Sequence, residues 1–137
     1  MSQRDTAPVL TGLVVGALVA FGFALLIRLL PESVFLQTPW RLAAYLLCAL
    51  AAPPTVLFLK WVARVRGLDA RTVFAWAAAG AMTFDGLAIG FIPALYGQTG
   101  QALAWTASAL IFAFASLLIA GQVMLSRAVP ATVGSPA

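Results

Sequence analysis

An all-α fold, a bundle of four transmembrane helices with both termini on the cytoplasmic side, is what three features of this sequence predict. Hydrophobic residues make up 63% of the 137 positions and charged residues 9%, where a soluble domain carries about a quarter charged. The mean hydropathy is +1.01, too apolar a composition to cover a water-soluble globule. Four stretches are long enough to cross about 30 Å of hydrocarbon as helices, which takes about 20 residues each.

The first span is read over 9–30, "VLTGLVVGALVAFGFALLIRLL", with Arg28 near its end. Its apolar run exceeds the core of a signal peptide, and no basic leader with a small-residue cleavage site accompanies it, so a retained helix is expected. The second span, 42–59, lies between Arg41 and Lys60 and contains Pro53 and Pro54. Proline removes a backbone donor and crowds the preceding turn, so a kink is expected there, with Thr55 placed to satisfy a freed carbonyl. The third span, 72–96, holds Asp85, and Pro93 should bend its outer end. The fourth, 102–125, runs up to Ser126 and Arg127. "PESVFLQTPW", "KWVARVRGLDAR" and "GQTGQ" connect the spans, and a small-residue tail over 128–137 is expected to fray. The whole of 1–137 reads as one transmembrane domain.

Charge sets the expected orientation. Lys60, Arg64, Arg66 and Arg71 share one connector with Asp69, and Arg4 and Arg127 fall on the same side. Arg28 and Arg41 fall on the other. Basic residues collect on the cytoplasmic side, so both termini are expected inside, in a bacterial inner membrane. The net charge of +4 is then a topology signal, and no nucleic-acid partner is implied. Trp40, Trp61, Tyr96 and Trp105 lie near span ends, where aromatic belts form.

Helices in lipid associate through close backbone approach and polar contacts. Gly12 and Gly16 lead a ladder of small residues in the first span, and Gly86 and Gly90 repeat that spacing beside Asp85. Both faces are expected to look inward.

Asp85 is the residue on which the functional reading turns. A carboxylate near the middle of a membrane helix costs about 2.5–3.5 kcal/mol, so it should face protein, be paired, or carry a proton. Counting about 1.5 Å per residue, Arg28 lies about 9 Å nearer the outer surface, within the joint reach of the two side chains. An Arg28–Asp85 pair is therefore expected, with Glu32 as a second acid competing for the guanidinium. Either this pair locks the bundle, serving a non-enzymatic component that assembles with itself or a partner membrane protein, or Asp85 titrates in a proton- or cation-coupled transporter. Catalysis is the weakest reading. The chain has no His and one Cys, Cys48, and no metal-ligand cluster or cofactor motif. Its serines have no base nearby, and Ser108 and Ser116 are expected to bond within the fourth helix.

The segments "FALLIRLLPESVF", "RVRGLDARTVFAWAAAGAMTFDGLAIGFIPALYG" and "LAWTASALIFAFASLLIAG" together resemble a family of small bacterial four-helix membrane proteins known only as a domain of unknown function. The resemblance spans about Phe21 to Gly121. It implies an Arg closing helix one and an Asp within helix three, here Arg28 and Asp85, and it implies no activity. This chain has "AGAM" where that family has a Pro-Gly pair, and "FIPALYG" where it has a Phe-Pro-Asn ending.

Overall fold

A computed structural model describes residues 3–126, with side chains from Thr6 onward. Arg127, the tail 128–137 and the side chain of Arg4 lie outside the described residues. Helix α1 covers Gln3–Arg28, the single turn α2 Ser33–Leu36, α3 Thr38–Val65, α4 Ala70–Phe91 and α5 Gly100–Leu125, with a 3-10 turn at Pro93–Tyr96. Four of these helices, α1, α3, α4 and α5, are long and apolar enough to cross a membrane. Leu10, Leu18, Leu46, Leu50, Ile119 and Val123 all lie more than 60% exposed. An exterior of that kind suits lipid, where an apolar side chain gains little by turning inward.

The bundle is built as two helix pairs, α1 on α4 and α3 on α5, with α4 also touching α3 and α5. Small residues make the first pair. A Cβ on Gly16 would stand 1.9 Å from the carbonyl oxygen of Ala77, and one on Gly80 would stand 2.4 Å from that of Leu13. At Gly12 an added Cβ would meet the Trp76 Cβ at 2.6 Å. The two backbones therefore touch, and only hydrogen fits between them. Where α4 faces α3, larger groups fill the gap: Val56 and Leu59 pack on Phe74 and Ala77. The phenyl ring of Phe74 occupies the space that a side chain at Gly121 of α5 would need. The second pair is joined by a polar contact, Tyr45 donating to Ser108 Oγ at 2.7 Å.

Turn chemistry sets the helix ends. After α3, Leu68 N–H bonds to Ala63 O and Gly67 N–H to Arg64 O, the paired bonds of a Schellman ending. Gly67 takes φ 64° there. Asp69 then caps α4, accepting from Thr72 N–H at 2.8 Å, a bond that satisfies one of the donors a helix start leaves over. We call the end of the bundle bearing this turn the basic end and the opposite end the distal end.

Three boundaries differ from the sequence reading. The first helix ends at Arg28, and Leu29 and Leu30 turn back toward its last carbonyls through bonds to Leu26 O and Ile27 O. The second remains helical for 28 residues through Pro53 and Pro54. Those prolines free the carbonyls of Ala49 and Leu50, whereas the Thr55 hydroxyl bonds to Ala51 O at 2.8 Å, one residue further on. The third ends at Phe91, because Ile92 precedes proline and is driven out of the helical region, to φ −137°.

Candidate functional site

Asp85 lies six residues before the end of α4, about 9 Å along the helix from its distal end. It faces inward, 5% exposed, and its Oδ1 accepts a hydrogen bond of 2.5 Å from the Tyr96 hydroxyl. The phenol reaches it because the chain reverses just beyond the helix. Pro93 opens the 3-10 turn, Tyr96 closes it, and Gly97 follows at φ 66°. Tyr96 is 0% exposed and packs with Ala24 of α1, Ala88 of α4 and Leu110 of α5. Tyr96 is thus a fixed donor and Asp85 its acceptor.

The residues after Tyr96 continue the fastening. Gly97 sits so close to α1 that a Cβ there would stand 3.0 Å from Arg28 Cγ. Gln98, buried, sends its amide N–H groups to the carbonyls of Leu30 at 2.8 Å and Ile27 at 3.3 Å. It thereby caps the Leu30 carbonyl just past the end of α1 and shares the Ile27 carbonyl with Leu30 N–H. Gln98 Oε1 is buried without a hydrogen-bond partner. Thr99, which precedes α5, gives both its N–H and its hydroxyl to Glu32 Oε1, at 2.9 and 2.7 Å. Four consecutive residues, 96–99, thus join the tail of α4, the end of α1 and the start of α5.

Against the expected site, the structure keeps the acid and changes its partner. Asp85 is buried, but its hydrogen bond goes to Tyr96 and not to Arg28. Arg28 is exposed and its stem lies along Gly97. An exposed guanidinium at a helix end stays hydrated at lower cost than one drawn into the bundle to meet an acid. Glu32 does not compete for that guanidinium either, because its carboxylate is turned to Thr99. Gly12 and Gly16 form the α1–α4 contact, whereas Gly86 and Gly90 lie on the exposed side of α4 with nothing within 4 Å of an added Cβ. Gly80 takes the inward place expected of them. Pro93 starts a new turn and does not bend a continuing helix. Ser116 bonds within its own helix, to Phe112 O at 2.9 Å, but Ser108 accepts from Tyr45 across to α3.

Sequence reasoning missed Tyr96, Gln98 and Thr99 as partners. Tyr96 reads as an interfacial aromatic, and only Ile-Pro at 92–93 with Gly97 signals a chain reversal able to return it to Asp85. Compared with known proteins, the chain matches no family model, no curated protein and no solved structure. The resemblance drawn from the sequence therefore identifies no family, and four long apolar helices consistent with a small membrane protein are what stands.

Proposed function

We propose that this chain is a non-enzymatic component of a bacterial inner-membrane assembly, with both termini in the cytoplasm. The single observation that carries the reading is that Asp85 is engaged by Tyr96 inside the chain. A carboxylate spent on a buried phenol, in a segment that also fastens α1 and α5, supports a lock better than a carrier of protons or cations. The exposed Gly86 and Gly90 on α4 add a surface that a second transmembrane helix can approach closely, from another copy or from a partner membrane protein.

The test separates the lock from the assembly face. Crosslinking in the membrane, with native mass spectrometry of the purified protein, is expected to find a complex that Gly86→Leu/Gly90→Leu disrupts without lowering the melting temperature. A wild-type protein that is monomeric throughout, or a complex untouched by the double substitution, would overturn the assembly reading. Uptake or efflux that follows pH and stops in Asp85→Asn would replace it with proton- or cation-coupled transport.

A further inference from the structure

At the basic end, a half-open groove of about 390 Å³ lies over the α4–α5 contact, lined by Arg71, Phe74, Ala75, Leu118, Gly121 and Gln122. A second cavity of about 210 Å³, whose walls include Lys60, Asp69 and Arg71, shares Arg71 and Leu125 with the first. The pair has a polarity gradient. Ala75 and Leu118, exposed beside the buried Phe74–Gly121 contact, give the first an apolar wall running toward the membrane interior, while Lys60, Arg71 and Asp69 border the second. Arg71 is held over the junction by its Nε, which donates to Leu125 O at 2.6 Å. That bond also satisfies a carbonyl at the end of α5. The acid in the second cavity, Asp69, turns Oδ2 to Thr72 N–H and Thr72 Oγ1, each at 2.8 Å.

We infer that this α4–α5 groove is a binding site for an anionic phospholipid, with one acyl chain along Ala75 and Leu118 and the phosphodiester between Arg71 and Lys60. The apolar wall below two cations at the membrane surface matches the two parts of such a lipid and of no soluble anion. Basic pockets between membrane helices take anionic headgroups in this manner.

The test uses the full chain extracted from vesicles of equimolar phosphatidylglycerol and phosphatidylcholine, with retained lipid counted by native mass spectrometry. Preferential retention of one phosphatidylglycerol is expected. Arg71→Ala and Lys60→Ala should each weaken it about fivefold, the equivalent of about 1 kcal/mol per cation. Ala75→Trp should weaken it by filling the groove with no change of charge. Arg64→Ala/Arg66→Ala, which removes two exposed cations outside both cavities, should leave it intact. Equal retention of the two lipids, unchanged retention in all three site variants, or an equal loss in the Arg64/Arg66 control would overturn the assignment. So would displacement by glycerol 3-phosphate at millimolar concentration, which would mean that phosphate alone is recognised. If Arg71→Ala fails to fold, Lys60→Ala and Ala75→Trp carry the same readout.

Discussion

Tyr96 carries a hydroxyl into the buried interior of the bundle, and the only acid within the four described spans is there to receive it. Neither group is tolerable alone. A buried hydroxyl without a partner costs about 1–3 kcal/mol, and hydrogen bonds to a charged group contribute about 1.5–3 kcal/mol. Tyr96→Phe removes the donor and leaves the carboxylate in place, so it should lower unfolding stability in detergent by about 2–3 kcal/mol. Asp85→Asn keeps an acceptor for the phenol and should lose less, which chemical denaturation of the two variants would resolve. Arg28→Ala should change stability by less than about 1 kcal/mol, because an exposed charge away from a pair contributes little. A loss as large as that of Tyr96→Phe would restore the Arg28–Asp85 pair that the sequence suggests. Gly97 is constrained twice, by φ 66° and by Arg28 Cγ. Gly97→Ala should cost about 1–2 kcal/mol from the backbone alone, measurable in the same denaturation series.

Among the elements, α4 sorts its small residues by role. On the face toward α1, Gly80 meets the backbone of Leu13, as Gly12 and Gly16 meet α4 from the other side. On the exposed face, Gly86 and Gly90 meet nothing. Identical substitutions should therefore diverge. Gly16→Ala forces a methyl into the Ala77 carbonyl and should cost about 3 kcal/mol or more. Gly86→Ala and Gly90→Ala should range from neutral to about 1 kcal/mol stabilising in the isolated chain, through helix propensity. Thermal unfolding of the three variants side by side checks this, and a Gly86→Ala as damaging as Gly16→Ala would contradict the assignment of faces. Spacing alone could not make this distinction. Four-residue repeats of small side chains occur on both faces of α4, and only the neighbour decides which one is buried. The same limit applies to proline. Pro53 and Pro54 read as a kink within a span and α3 continues through them, whereas Pro93, read as a bend, does end its helix. The difference follows from what lies beyond: a long apolar run after Thr55, but a short turn and Gly97 after Leu95.

For the molecule as a whole, the architecture was legible because bilayer thickness and hydropathy leave few alternatives. The number of spans and Asp85 as a buried acid could both be read from composition and position. The acid's partner could not, because it depends on a reversal of chain direction that turns Tyr96 from a candidate interfacial ring into a core residue. The proposed orientation follows from the connector basic residues and has its own check. In a Cys48→Ala background, Arg66→Cys should resist a membrane-impermeant maleimide until the membrane is opened, while Gln37→Cys should react beforehand. The reverse pattern would invert the molecule. The central claim, that Asp85 and Tyr96 form one internal lock, is tested most directly by a double-mutant cycle of Asp85→Ala and Tyr96→Phe in unfolding free energy. The lock requires a coupling of about 1–3 kcal/mol. Losses that simply add, to within about 0.5 kcal/mol, would contradict it.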